Sequence, residues 1–489
     1  MRAAIIGGGI GGLVTALLLS KQGHDVTILE KEARLGGRLG FVEKNGFKID
    51  IGPTIVLLPE MLQDILTEAG INSDAYELIK CDPLYKIHFA DQSAYTKYAD
   101  MKKQEKEITS LSPDDLAGFR QFMKDMEGRF NTGKPKFLEK SFTRKRNFYN
   151  KETIKTLLEM KAFRDVYKQL SRYFSDERLR VSYALQTLYI GGNPLRTPAI
   201  YSLISYSEHK HGIYYLKGGY GSLVDVLEAE LRKRKVTIHL DTKVQELHST
   251  GSHVDYLMVN DERHVFDSYV VNGDFPVAER ELLNREKSYT PSSGCLLFYF
   301  GLNKKYEDQM THQFFIGSNF KQSMKEIFEK RELPTDPSYY TFYPSSIDSS
   351  LAPKGKSVLY VLVPVPSGSQ IAWKETREFQ EKILRRIEDD AFPNLREHVE
   401  WMKVRTPEDA EAEGLFAGGS FGIAPALMQS GVFRPQVKPF KEQNVYAVGA
   451  STHPGGGIPI VMQGAKLVAE EMFKETTTYI SKEEVMTIG

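Results

Sequence analysis

The sequence predicts an α/β fold whose central sheet is assembled from distant parts of the chain. A strand, a glycine-rich turn and a helix follow one another near the N-terminus, and a second strand, glycine-rich loop and helix occur at residues 444–472. The 489 residues also exceed the roughly 250–300 that one hydrophobic core supports. We therefore expect a discontinuous Rossmann-like domain that carries a separate sheet domain and a helical cover.

The first strand, turn and helix have the features of a dinucleotide-binding site. The apolar run Arg2–Ile6 leads into a G-x-G-x-x-G motif at Gly7, Gly9 and Gly12, and a second strand ends at Glu30. In this motif the first glycine permits a tight turn, the second lets the backbone approach a pyrophosphate, and the third lets the helix pack on the strand. The helix N-terminus attracts phosphate, and the acid can accept hydrogen bonds from a ribose diol.

The residues that follow indicate a flavin rather than a nicotinamide cofactor. Gly36, Gly37 and Arg38 place more backbone amides and a cation beside the pyrophosphate, and the strand and turn at 46–54 include Gly52. This order of motifs resembles the flavoprotein group that contains amine oxidases, protoporphyrinogen oxidases and carotenoid desaturases. The resemblance implies FAD as the cofactor.

The C-terminal glycine-rich segment predicts a second contact with the same cofactor. A flavin needs one because its ring system lies far from its adenine. We expect Gly449, Gly457 and Ile458 to place a helix N-terminus near the N1–C2=O edge of the ring, where negative charge gathers on reduction. His453 in this loop either shapes the loop by hydrogen bonding or takes part in the chemistry.

The pattern between the two ends divides the chain into three parts. Strand patterns return after residue 215, and one of them ends beside Asp274, which we expect at the cofactor edge. The predicted FAD-binding domain comprises residues 1–85, 215–280 and 415–489. Residues 86–214 are expected to form a mostly helical, membrane-facing cover, and residues 281–414 a substrate-binding sheet domain.

A stretch at residues 129–172 combines an excess of basic residues with interleaved aromatic ones. Such a composition suits the surface of an anionic membrane. The alternative is an ordinary solvated helical face. No apolar run reaches the length of a membrane-spanning helix, about 18–20 residues, so we expect a cytoplasmic protein that attaches peripherally to the membrane.

Composition excludes several other functions. Basic and acidic residues are equal at 64 each, which gives no reason to expect a nucleic-acid partner. The two cysteines, Cys81 and Cys295, form no metal-binding or disulfide pattern, so we expect no metal site. The oligomeric state is left open.

Further motifs narrow the resemblance. The segments 189–194, 351–355, 360–366, 414–425, 433–435 and 449–459 resemble the signature of bacterial-type carotenoid desaturases, and the likeness covers nearly the whole chain. It implies that FAD-dependent dehydrogenation introduces conjugated double bonds into a linear isoprenoid hydrocarbon. Residues 186–191 and the C-terminal loop look most similar to the diapophytoene (dehydrosqualene) desaturases, which act on thirty-carbon chains. Phytoene desaturation on the forty-carbon chain and oxygenation of a terminal methyl group are the alternatives.

No catalytic motif identifies the base that the dehydrogenation requires. The pair Arg164 and Asp165 is a candidate for handling charge near the substrate, and a surface ion pair is the alternative. Two rival functions remain, which are a different flavoprotein oxidase and an isoprenoid carrier or escort protein without redox chemistry. Both glycine-rich ends are intact, which argues against the carrier.

Overall fold

The computed structural model describes residues 1–143, 151, 153, 155, 156 and 164–487, with side chains to residue 475. Its strands are β1 Arg2–Ile6, β2 Asp25–Leu29, β3 Phe41–Lys44, β4 Phe47–Asp50, β5 Leu78–Lys80, β6 Tyr85–His88, β7 Ala94–Lys97, β8 Tyr214–Leu216, β9 Thr237–His239, β10 Glu246–Ser249, β11 Val254–Val259, β12 Glu262–His264, β13 Ser268–Val271, β14 Gly294–Leu302, β15 His312–Phe315, β16 Tyr339–Phe342, β17 Ser357–Val365, β18 Val399–Arg405 and β19 Val445–Ala447. The α-helices are α1 Ile10–Lys21, α2 Pro59–Glu68, α3 Met101–Leu111, α4 Leu116–Gly133, α5 Val166–Leu170, α6 Glu177–Ala184, α7 Ser202–His211, α8 Tyr220–Lys233, α9 Phe275–Leu283, α10 Phe320–Lys325, α11 Arg377–Asp390, α12 Pro407–Ala412 and α13 Ile458–Thr487.

A five-stranded parallel sheet confirms the predicted Rossmann-like fold and its discontinuity. The strand order is β19-β13-β1-β2-β9, so strands from the N-terminal, middle and C-terminal parts of the chain form one sheet. Ile5 at the centre lies opposite Ile28 on one side and Val270 on the other. Helix α1 is buried at every position from Ile10 to Leu19, because it packs between this sheet and other helices.

A second sheet has seven strands in the order β18-β14-β17-β16-β15-β6-β7. Its longest strands are the antiparallel pair β14 and β17, in which Gly294 lies opposite Val365 and Leu302 opposite Ser357. Strands β6 and β7 fall at the start of the segment that we expected to be mostly helical, and they extend this sheet instead. Each has four residues, which is too short for the alternating pattern to stand out in the sequence.

The helices α3–α7 pack on one face of the second sheet. Phe119, Phe122 and Met126 of α4 share a hydrophobic core with Tyr299 of β14 and Phe342 of β16. The space between these helices and the two sheets holds the candidate site. None of the described helices has the length and apolar character needed to cross a bilayer. The division into three domains remains a prediction.

Candidate active site

One cavity of about 1290 Å³ joins the carboxyl edge of the parallel sheet to the face of the second sheet. This volume exceeds the roughly 300–1,000 Å³ of a typical pocket for one small molecule. One end is lined by glycine-rich backbone and polar side chains, and the other by apolar side chains. The cavity therefore has room for a dinucleotide and a second ligand.

The two N-terminal glycine motifs form a single surface at the polar end. Gly9 and Gly36 pair as an isolated parallel bridge, and the Gly36 amide donates to the Gly8 carbonyl at 2.8 Å. A Cβ placed on Gly37 would lie 3.4 Å from the Gly9 Cα, so larger side chains would narrow the groove between the motifs. Helix α1 starts after Gly9, and no side chain caps its first amides, which remain available to a ligand.

Gly12 belongs to the motif but does not line the cavity. A Cβ at this position would lie 2.3 Å from the Gly7 carbonyl oxygen. Because glycine has no Cβ, α1 packs directly on the turn, which is the role expected of the third glycine.

Glu30 is 5% exposed and lines the cavity. One carboxylate oxygen accepts a hydrogen bond from the Gly8 amide at 2.6 Å, and the other accepts one from the Glu32 amide at 2.9 Å. A carboxylate has about four acceptor positions. The remaining positions can accept hydrogen bonds from a ribose diol.

Asn272 was missed in the sequence analysis as a site residue. Its Nδ2 donates to the carbonyls of Gly7 at 2.9 Å and Gly9 at 3.2 Å, so it fixes the turn from the neighbouring strand. The position directly after β13 could have indicated this role, because β13 pairs in parallel with β1.

Arg38 and Asp274 connect the cavity to the C-terminal third of the chain through hydrogen bonds. Arg38 Nη1 donates to the Ser420 carbonyl at 2.9 Å. Burial lowers the pKa of Arg38, and the Asp274 carboxylate opposes that shift. Asp274 accepts hydrogen bonds from the Phe416 amide at 2.9 Å and the Ser451 hydroxyl at 2.5 Å. Gly52 also lines the cavity, and a Cβ there would lie 2.8 Å from the Arg38 carbonyl oxygen.

Gly449, Gly457 and Ile458 line the cavity where α13 begins. Buried Arg434 holds this loop through hydrogen bonds to the carbonyls of Ala450 and Thr452. Arg434 belongs to the family motif at 433–435, but the sequence alone indicated no role for it. Its five guanidinium donors are suited to fixing several carbonyl groups of an irregular loop.

His453 lines the cavity and is 2% exposed. Its Nε2 donates to the Lys140 carbonyl at 2.8 Å, and burial lowers its pKa to about 4. The imidazole is therefore neutral near pH 7. These contacts favour the structural role, and a direct role in the chemistry remains a prediction.

Arg164 and Asp165 do not line the cavity. Their backbone instead pairs with the turn that contains Pro198 and Ala199, and the Ala199 amide donates to the Arg164 carbonyl at 2.6 Å. Neither side chain is therefore among those that line the substrate space, and a role for this pair in handling charge remains a prediction.

Most of the basic and aromatic stretch at 129–172 lies outside the described residues. Among its described members, Arg129 and Phe142 are buried, and Phe130 and Phe137 line the cavity. Some of the aromatic residues that suggested a membrane surface therefore contribute to the protein interior.

The second part of the cavity is mostly apolar. Its lining residues come from the second sheet and from the helical segment, and they include Leu185, Leu188, Ile204, Leu297, Phe314, Ile316 and Leu362. Cys295 is also in this wall, and burial raises the pKa of its thiol to about 12, which keeps it protonated.

Tyrosine side chains interrupt this apolar wall, among them those of Tyr340 and Tyr189. Tyr340 lies 2.8 Å from the Thr54 hydroxyl and 2.7 Å from His312 Nδ1, measured from its own hydroxyl oxygen. Burial lowers the pKa of His312 to about 3, so the imidazole stays neutral. Because Thr54 follows the Gly52 turn, the polar part of this wall lies next to the dinucleotide end.

Comparison with known proteins agrees with this geometry. The model of the family described as flavin containing amine oxidoreductase matches residues 10–473. The chain belongs to the flavin-containing amine oxidoreductase family. It is 59% identical to 4,4'-diapolycopen-4-al dehydrogenase from Metabacillus indicus over 97% of both chains. It is 32% identical to 4,4'-diapophytoene desaturase from Staphylococcus aureus strain Newman, over 97% of this chain and 99% of that one.

These relatives assign the chain to the carotenoid desaturase group of the family. A solved oxidoreductase from Methanosarcina mazei has the same fold, with a TM-score of 0.67, 15% identity, and coverage of 96% of this chain and 100% of that one. The protein is an FAD-dependent oxidoreductase. The uncapped start of α1, the groove between the glycine motifs and the open acceptor positions of Glu30 fit this cofactor.

Proposed function

We propose that this protein oxidises a terminal aldehyde group of a linear thirty-carbon carotenoid to the carboxylic acid. The full-length similarity to a 4,4'-diapolycopen-4-al dehydrogenase carries the proposal. The cavity supports it, because Thr54, Tyr189 and Tyr340, whose side chains carry hydroxyls, are among its lining residues. A hydrocarbon offers these groups no hydrogen bond, whereas an aldehyde or its hydrate does.

The reaction needs one oxidant, one water molecule and one proton acceptor. Bound FAD supplies the oxidising power by accepting hydride. Water adds to the aldehyde, and the resulting hydrate loses a hydride from carbon and a proton from one hydroxyl to give the acid. The apolar wall binds the chain by burial, at about 25 cal/mol per Å² of apolar surface. The hydroxyls of Thr54 and Tyr340 can orient the hydrate, since they already form a fixed pair.

The proposal is tested with purified, FAD-loaded protein and liposomes that carry 4,4'-diapolycopen-4-al, followed by chromatography. We expect the corresponding acid, formed together with reduction of an added electron acceptor. Parallel liposomes carry the colourless thirty-carbon and forty-carbon precursors. Absence of the acid, with formation of a coloured polyene from either precursor, would contradict the proposal.

A second candidate is the desaturation of 4,4'-diapophytoene. The apolar character of the wall suits it, because such a wall can bind an unsubstituted chain, and a full-length relative carries that name. The same assay separates the two. A coloured product from the thirty-carbon precursor supports this candidate, a product from the forty-carbon precursor alone supports phytoene desaturation, and conversion of a terminal methyl group to an aldehyde supports an oxygenase.

We further propose that the substrate enters from a membrane surface. Leu427 lines the cavity and is 39% exposed, and neighbouring Met428 is 66% exposed. Exposed apolar side chains beside a cavity for a water-insoluble chain suit insertion into the edge of a bilayer. Such contact would let the substrate pass from lipid into the protein without crossing water.

A further inference from the structure

A network of buried polar groups lies behind the apolar wall. Glu208 and Lys97 are fully buried, and Lys97 Nζ lies 2.8 Å from Glu208 Oε2. Lys97 also donates to the Ser205 hydroxyl at 2.8 Å. The Tyr85 hydroxyl donates to Glu208 Oε2 at 2.7 Å and accepts from Gln186 Nε2 at 2.7 Å. We call these five residues the Lys97–Glu208 network.

Stability does not account for this network. A buried ion pair can often be replaced by apolar side chains of similar volume without loss of stability, because desolvation of the two charges offsets their attraction. In addition, Glu208 Oε1 is buried and has no hydrogen-bond partner among the described residues. A buried acceptor without a partner is unfavourable, so this oxygen is open to a hydrogen-bond donor.

Tyr189 connects the network to the cavity. Its hydroxyl is also buried without a hydrogen-bond partner in the described part of the chain. Its ring stacks on Phe314, with ring centroids 6.0 Å apart, and Phe314 in turn contacts Tyr85 at 5.0 Å and Tyr340 at 4.8 Å. Burial, and next the negative charge of Glu208, raises the pKa of Tyr189. The hydroxyl is therefore protonated and close to the carboxylate.

We infer that Tyr189 binds the hydrated aldehyde end of the substrate and relays its proton to Glu208. Tyr189 Oη accepts a hydrogen bond from one hydrate hydroxyl and donates its own to Glu208 Oε1, which gives both unpartnered atoms a partner. Bound FAD would accept the hydride from the hydrate carbon, and the hydroxyl oxygen would then form the new C=O bond. Its proton passes to Tyr189 while the Tyr189 proton passes to Glu208. Lys97 is a positioning residue that holds the carboxylate in place through its 2.8 Å contact with Oε2.

This inference rests on the proposed function and is tested by a second set of measurements. Tyr189→Phe keeps the ring but removes the relay, so kcat with the aldehyde should fall at least tenfold. Affinity is measured with the FAD-loaded protein from the visible absorption of bound carotenoid, using the aldehyde and the matched hydrocarbon. Tyr189→Phe should weaken aldehyde binding by roughly tenfold, equivalent to about 1.4 kcal/mol, and leave hydrocarbon binding unchanged.

Tyr306→Phe is the control, because Tyr306 does not line the cavity and its hydroxyl donates to the Pro393 carbonyl at 3.2 Å. It should retain wild-type kcat. For Glu208, the double variant Lys97→Met/Glu208→Gln removes both charges together so that the protein can still fold. It should bind the aldehyde but turn it over at least tenfold more slowly.

The outcomes separate the inference from the proposed function. Aldehyde oxidation that is unchanged in Tyr189→Phe and in the double variant overturns the inference and leaves the function intact. Failure of the wild type to oxidise the aldehyde overturns the function. In that case, equal affinity of wild type and Tyr189→Phe for the aldehyde also overturns the binding of the aldehyde by Tyr189. A loss of affinity for the aldehyde but not for the hydrocarbon in Tyr189→Phe retains Tyr189 as a binding residue.

Discussion

Replacing Gly12 with alanine should weaken FAD binding, although Gly12 does not line the cavity. The new Cβ would lie 2.3 Å from the Gly7 carbonyl oxygen, 2.9 Å from Asn272 Nδ2 and 3.0 Å from the Ile5 side chain. The nearest of these atoms is backbone and cannot rotate away. Relief therefore requires α1 to move off the turn, and the amides at its N-terminus move with it.

The expected magnitude follows from two opposing terms. Overpacking a well-packed site costs about 1–3 kcal/mol, and a backbone clash favours the upper end. Alanine recovers about 1 kcal/mol of helix propensity relative to glycine. The net loss of stability is about 2 kcal/mol. Loss of one charge-assisted hydrogen bond to the pyrophosphate, about 1.5–3 kcal/mol, would raise the Kd for FAD roughly 10- to 100-fold.

Gly128→Ala is the matched control, because Gly128 is an exposed helical glycine whose added Cβ would meet no atom within 4 Å. It should raise the thermal midpoint while Gly12→Ala lowers it. The measurements are thermal unfolding and FAD titration by flavin fluorescence. If Gly12→Ala matched the wild type in both its thermal midpoint and its affinity for FAD, close packing would not be the reason for glycine at this position.

Three further predictions test the buried charges and the membrane surface. Burial raises the pKa of Asp50 from 3.8 to about 7, so the folded protein holds a proton there that the unfolded chain releases near pH 4. The free energy of unfolding should therefore decline as the pH rises from about 4 to 7, and Asp50→Asn should remove this part of the pH dependence. Parallel pH profiles of the thermal midpoint in wild type and Asp50→Asn would contradict the prediction. Lys97→Met or Glu208→Gln alone should cost about 3–5 kcal/mol, because each leaves one buried charge, and the double change should recover most of the loss. A double variant no more stable in thermal unfolding than the single ones would refute this. Met428→Asp should reduce sedimentation with liposomes, whereas Met402→Asp, at a site that is 44% exposed and does not line the cavity, should not. Equal sedimentation of both variants would argue against the proposed entry surface.

The dinucleotide end of the site could be predicted because its chemistry is local. Gly7, Gly9 and Gly12 are needed by a turn whose geometry is set within a few residues, and Glu30 follows at the end of the next strand. The second glycine motif, at Gly36 and Gly37, could be predicted from its spacing after Glu30. The structure brings all of these residues except Gly12 to one cavity, and it gives Gly12 the packing role that the motif implies.

The substrate end could not be predicted in the same way. Tyr340 and His312 lie on neighbouring strands of the second sheet, and Lys97 and Glu208 come from β7 and α7. None of these residues belongs to a short motif. Arg164 and Asp165 were candidates because two adjacent opposite charges are visible in a sequence, and neither residue lines the cavity.

The sequence by itself determined the α/β class, the parallel sheet shared by both ends of the chain and the flavin chemistry. It could do so because helix and strand periodicity and glycine-dependent turns are properties of short segments. Only the tertiary structure decided which polar groups face the substrate and which are left without partners. Those properties depend on contacts between residues far apart in the chain, such as Tyr85 with Glu208, and no local pattern encodes them.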